Sequence, residues 1–192
     1  MLLATLYLRA EGQDIGQTYM EFLDKFVRHI KHIDNTEEAA FLWDRLGHWA
    51  QDEGNWLEAE RCFRMAYDLA GGHYGYCLGT ALNFLGRFED SLPILLEQAE
   101  HIQPDAMSWF QLGAAYGDLG QSEQAIKSYE KALNLDPEYD LAMFNLGGVY
   151  WNSGCMFEAL DIWKLAIESF PDHELTAKLQ ADFPQFFPKD ID

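Results

Sequence analysis

A period of thirty-four residues runs through the second half of the chain. Leu112, Gly113, Tyr116, Gly120, Ala125, Ala132 and Pro137 return as Leu146, Gly147, Tyr150, Gly154, Ala159, Ala166 and Pro171. In the same register Trp109 becomes Met143 and Tyr129 becomes Trp163, which keep bulk rather than identity. Further back stand Leu78, Gly79, Gly86, Ser91 and Leu95, and before those Leu46, Gly47, Gly54, Ala59, Phe63 and Ala66. A domain wrapped around one central core has no need of such spacing. A stack of equivalent units does, because each buries its apolar face against the next. The expected units are 40–71, 72–105, 106–139 and 140–173.

Within a unit the apolar residues recur at helical steps on both sides of a glycine-containing break, so each unit reads as a helical hairpin. In the third, Trp109, Leu112 and Tyr116 form one stripe and Ala125, Tyr129 and Ala132 the other. Small residues at Gly113, Ala125 and Ala132 let the two helices approach, and Pro137 sits where a new hairpin begins without entering a helix interior.

These residues resemble the tetratricopeptide repeat (TPR) family, whose 34-residue pattern sets Trp, Leu, Gly and Tyr in a first helix and Ala, an aromatic and Ala in a second. The third unit matches it best and the fourth nearly as well. The first has Ala50 in the Tyr place. The second is weakest: Gly75, Leu82, Ser91 and Gln98 occupy the Trp, Tyr, Ala and Ala places, Pro93 interrupts the second helix, and Ala99 and Pro104 suggest a one-residue shift. The resemblance spans 40–173 and implies an all-α fold, a right-handed α-solenoid of TPR-like hairpins. Residues 1–39 are expected to supply a leading helix or degenerate repeat, with Ile15, Tyr19, Phe22, Phe26, Ile30 and Ile33 on one stripe, and 174–192 a capping helix and acidic tail.

The chain carries 32 acidic against 13 basic residues, a net charge of -19. Such a surface repels nucleic-acid phosphates. Residues 88–126 contain no Lys or Arg, which either keeps the protein soluble or draws a basic partner. MLLATLYLRA lacks the pattern of a signal peptide and is too short to span a bilayer, and Cys62, Cys77 and Cys155 form no disulfide framework. A cytoplasmic location is expected, and no stable membrane insertion.

The resemblance implies that the first helix of each hairpin lines a concave groove. Counted in register, the groove positions include Asp44 and His48 in the first unit; Tyr76, Asn83 and Phe84 in the second; Phe110 and Asp118 in the third; and Phe144, Asn145, Trp151 and Asn152 in the fourth. Aromatic rings offer area and amides can pair with a peptide backbone. Phe110 and Phe144 either face the groove or complete interhelical packing. These positions hold no Lys, so a clamp for an acidic peptide tail is disfavoured. A segment with an apolar anchor and basic neighbours suits them better.

No phosphate loop, dinucleotide fingerprint or zinc quartet is present, and no cofactor is expected. His29 and His32 lack an identifiable third ligand. Asp44 and His48 share a helical face, where either an interaction surface or an acid-base pair would fit. The expected function is a noncatalytic adaptor binding a peptide or amphipathic segment, with an acidic chaperone for a secretion or assembly partner, or a structural subunit, as alternatives. Homo-oligomerisation stays open.

Overall fold

The computed structural model describes residues 28, 35–72 and 74–188. The expected leading helix, with His29 and His32, lies outside them. Among the described residues the chain forms nine α-helices and no strand. They are α1 (Thr36–Asp52), α2 (Trp56–Ala70), α3 (Tyr74–Phe84), α4 (Phe88–Glu97), α5 (Ala106–Asp118), α6 (Ser122–Leu135), α7 (Asp140–Asn152), α8 (Met156–Ser169) and α9 (Glu174–Asp182). The first eight pair as four hairpins in chain order.

Local signals set the helix ends. Asn35 accepts from the backbone N–H groups of Glu37 and Glu38, and Asn55 and Asp105 cap α2 and α5 in the same way. Such caps satisfy donors that have no partner inside the helix. Between the helices of every hairpin stands a glycine with φ between 71° and 80°: Gly54, Gly86, Gly120 and Gly154. The following N–H reaches back to the last helical turn, as from Gln121 to the Tyr116 carbonyl at 2.8 Å and from Cys155 to that of Tyr150 at 2.9 Å. This stop needs a left-handed residue, which glycine adopts without a Cβ clash.

One size match recurs in every hairpin. A Cβ built on Gly47 would lie 2.5 Å from the Phe63 ring, on Gly79 2.5 Å from Leu95, and on Gly113 2.9 Å from the Tyr129 ring. Gly147 faces the Trp163 indole more tightly still. Each first helix thus gives up a side chain so that a large residue of the second can fill the space. Ala59, Ser91, Ala125 and Ala159, one turn earlier on the second helices, are fully buried.

The second hairpin solves its departures from the repeat by two linked changes. Where the other hairpins have a large residue on the first helix (Trp43, Trp109, Met143) and alanine on the second (Ala66, Ala132, Ala166), this one has Gly75 and Gln98. Gln98 fills the room: its Nε2 would stand 2.6 Å from a Cβ on Gly75, and it donates to the Gly72 carbonyl at 2.8 Å. The one-residue shift is taken up by a π-helical turn, Gln98–Ile102, closed by the Gln103 N–H on the Gln98 carbonyl. A π-turn admits one extra residue without ending the helix. Pro93 lies inside α4, which continues past it to Glu97.

Hairpins join through shared cores. Leu95 and Ala99 pack with α5 and α6 residues and with Ala142 and Leu146 of α7, so the apolar interior passes from one unit to the next. Glu60, buried on α2, is held by Arg64 and by Arg87 from the α3–α4 turn at 3.4 Å. From the second hairpin on, neighbouring first helices touch, α3 with α5 and α5 with α7, while successive second helices meet more sparsely. The first helices therefore occupy the inner, shorter path of the curve. Beyond the fourth hairpin, Leu179 of α9 and Phe187 join Phe144 and Trp163 in one cluster.

Candidate protein-binding face

The inner helices carry a distinctive charge pattern. α3, α5 and α7 contain no Lys or Arg. Their acidic groups are Asp118 at the end of α5 and Asp140 at the start of α7, with Asp105 capping α5. The lysines of the third and fourth hairpins lie on the outer helices, Lys127 and Lys131 on α6 and Lys164 on α8, and Arg87 in the α3–α4 turn is paired with Glu60 and Asp90. Lys131 is spent on the Trp109 ring, 3.7 Å from its centroid. Two nearby phenols register these carboxylates. Burial, then Tyr76 and the carboxylates of Asp140, Asp105 and Asp136, push Tyr139 up to about 12. Burial raises Tyr129 too, aided by Asp118 and opposed by a hydrogen bond from Asn145.

Polar side chains tie one inner helix to the next. Asn83 of α3 donates to the Gln111 backbone carbonyl of α5 at 3.0 Å and to its side-chain oxygen at 3.3 Å, while Ser91 donates to Asn83 at 2.5 Å. Burial raises the Tyr76 phenol, against hydrogen bonds with Thr80 and Gln111. Tyr76, Gln111 and Asn145 remain half-buried. The two amides hold the array together and still present an edge.

Several residues expected in the groove stand elsewhere. Phe110 and Phe144 are 9% and 5% exposed, so they are packing residues. Phe110 leans on Tyr139, 4.9 Å away, and Phe144 stacks on His173 at the same separation. Tyr139 and His173 are equivalent N-caps of the helices that follow, so both rings brace the entry of the next element. Trp151 is half-buried, with Phe183 at 4.8 Å, Trp163 at 5.7 Å and Phe186 at 6.4 Å. The segment after α9 folds against it, and Phe110, Phe144 and Trp151 form no common exposed trough. Asn83 is committed to the contacts above. Phe84 is 61% exposed but lies at the turn edge, stacked on Trp56 at 3.8 Å with the rings within 2° of parallel. Asp118 and Asn152 are exposed at inner-helix ends. Asn145 opens onto a cleft of about 230 Å³ between α7 and α9, lined also by Leu175, Lys178 and Asp182.

Asp44 and His48 do come together, with a third residue that spacing did not bring out. His48 Nε2 lies 3.7 Å from Asp44 Oδ1 and 3.6 Å from Cys77 Sγ, and its ring meets Phe63 edge-on. An acid-base relay needs the carboxylate on one imidazole nitrogen and the reacting group on the other. Here both approach the same nitrogen. Burial, and then Asp44, push the Cys77 thiol up to about 12, so it is not a ready nucleophile. Cys77 shares its register position with Gln111 and Asn145, and that alignment was the available signal for an inward-facing group.

Comparison with known proteins agrees with this architecture. A family model described as TPR repeat matches residues 113–154. No curated protein matches the sequence. Among solved structures, the fold is similar to that of YrrB, a TPR protein with an unusual peptide-binding site, at 23% identity over 85% of this chain and 88% of that one, with a TM-score of 0.69. It is also similar to MamA from Desulfovibrio magneticus RS-1, at 21% identity over 84% of this chain and 98% of that one (TM-score 0.64). The translocator chaperone SycD of Yersinia enterocolitica type III secretion matches at 22% identity over 58% of this chain and 80% of that one (TM-score 0.55). With a TPR repeat matched at residues 113–154 and hairpins of the same build on either side, the chain carries a tetratricopeptide repeat and folds as an all-α solenoid like those of TPR proteins.

Proposed function

We propose that this protein is a noncatalytic interaction scaffold whose inner face binds a basic or amphipathic protein segment. The observation that carries this reading is the separation of charge: three successive inner helices without a cation, bordered by Asp105, Asp118 and Asp140, with the lysines of the same hairpins on the outer helices. Potentials of one sign along a concave wall attract a partner of the other and reject like-charged competitors. Tyr76, Gln111 and Asn145 offer ring area and amide groups to that segment. YrrB, with its peptide-binding site, is a precedent within the fold.

Fluorescence anisotropy with a basic amphipathic peptide and its charge-reversed counterpart, at low and high salt, tests this. The basic peptide should bind, weaken as salt screens charges beyond about 8 to 10 Å, and weaken again with Asp118→Lys. Equal binding of the charge-reversed peptide would sink the proposal. A second reading, a chaperone for an assembly partner, is favoured by apolar side chains left in solvent, Phe157 at 82% exposure and Leu57 at 61% among them; it predicts suppressed aggregation of that partner. The cysteines lie in three separate hairpins and are free, which suits a reducing, cytoplasmic setting. No helix among the described residues is long and apolar enough to cross a membrane.

A further inference from the structure

Asp44, His48 and Cys77 belong to two helices of adjacent hairpins, yet one donor atom from each falls within 4.8 Å of the other two. All three residues are partly buried. A tetrahedral centre with metal–donor bonds of about 2.0 to 2.3 Å has donor–donor edges of about 3.3 to 3.8 Å. The His48–Asp44 and His48–Cys77 separations, 3.7 and 3.6 Å, lie within that range. The 3.7 Å His48–Asp44 separation is too long for a hydrogen bond between nitrogen and oxygen, and the 3.6 Å contact of Cys77 Sγ with the same nitrogen is a weak sulfur hydrogen bond. His48 Nε2 thus stands between the Asp44 carboxylate and the Cys77 sulfur, with all three donors inside 4.8 Å of one another.

We propose that Asp44, His48 and Cys77 form a site for a zinc-class divalent cation that pins the first helix of the first hairpin to that of the second. The donor set selects the metal. A sulfur ligand disfavours magnesium and calcium, which take oxygen, and sulfur with imidazole and carboxylate suits zinc. Binding forms a metal–Sγ bond as the thiol proton leaves to solvent, and the resulting thiolate and the Asp44 carboxylate together balance the 2+ charge. His48 contributes a neutral nitrogen. Water fills the fourth position on the side open to the inner face, where an exchangeable ligand can be replaced. The inference stands apart from the peptide-binding proposal, because it concerns the join between α1 and α3 and not what lies along α5 and α7.

Cobalt(II) titration of the tag-free, reduced full chain tests it. Wild type should take up one cobalt ion per chain with a thiolate-to-cobalt charge-transfer band and the ligand-field bands of a tetrahedral centre, both abolished by zinc. Cys77→Ser should lose the charge-transfer band, Asp44→Asn should weaken affinity by at least about tenfold, the scale found even for partners outside the ligand shell, and Cys155→Ser should leave both unchanged. Zinc should raise the melting temperature of wild type and not of Cys77→Ser, with far-ultraviolet circular dichroism confirming that each variant is folded. A wild-type titration without the band, or a band that survives in folded Cys77→Ser, overturns the assignment. If Cys77→Ser does not fold, Asp44→Asn decides: unchanged affinity there overturns it as well.

Discussion

Gly147 and Gly148 are neighbours on α7, and replacing each by alanine separates helix propensity from packing within one turn. Alanine gains up to about 1 kcal/mol over glycine in a helix interior. At Gly148 a Cβ meets nothing within 4 Å, so that gain is the whole effect. At Gly147 the new Cβ enters the Trp163 indole, which is buried and donates from Nε1 to the Phe144 carbonyl at 3.0 Å. Overpacking a filled core costs about 1 to 3 kcal/mol. If the ring shifts enough to lose its hydrogen bond, an unpaired buried N–H adds about 1 to 3 more. Gly148→Ala should therefore stabilise by up to about 1 kcal/mol, and Gly147→Ala, net of the same propensity gain, should destabilise by up to about 2 kcal/mol with the hydrogen bond kept and by about 1 to 5 kcal/mol with it lost. Urea unfolding, followed both by tryptophan fluorescence, to which all six tryptophans contribute, and by far-ultraviolet circular dichroism, measures the difference. Because repeat arrays can unfold in parts, the two variants should be compared by both probes. Equal stabilisation by the two substitutions would refute the claim that a glycine-for-bulk exchange governs the hairpin contact.

The exchange in the second hairpin makes a coupled prediction. Gly75→Ala should cost about 1 to 3 kcal/mol, because its Cβ meets the Gln98 amide, and Gln98→Ala should remove most of that cost; a double-mutant cycle showing no coupling between them would contradict the contact. Stability should also fall at alkaline pH. Cys62, raised to about 12 mainly by burial, keeps its proton when folded and releases it near 8.5 when unfolded. The unfolded state therefore binds fewer protons between those values, and the stabilisation present below about pH 8.5 is lost as pH rises towards 12. Urea midpoints at neutral and alkaline pH for wild type and Cys62→Ala should show the variant with the shallower decline.

The hairpins were readable in the chain because their determinants are local. Gly120 and Gly154 stop a helix through backbone geometry that no distant contact need supply, and Gly113 opposite Tyr129 is a match within one unit. The shift between Gln98 and Pro104 was visible as a break in register, but its form as a π-turn was not, since an extra residue can be absorbed in a loop as readily as in a helix. The groove was less legible. Register places Phe110 and Phe144 on the first helix, but burial depends on what the next element sets against them, and Tyr139 and His173 close over both rings.

Periodicity, glycine placement and small-to-large matching, all carried along the chain, determine that this protein is a stack of helical hairpins with an acidic character. Tertiary structure alone decides which inward positions remain open: the segment after α9 covers Trp151, Gln111 claims the amide of Asn83, and the packing of the second hairpin on the first brings Cys77 to Asp44 and His48. The reason is that a helix specifies its own faces through a period of 3.6 residues, whereas the neighbour each face meets is set by the geometry of one hairpin stacked upon another.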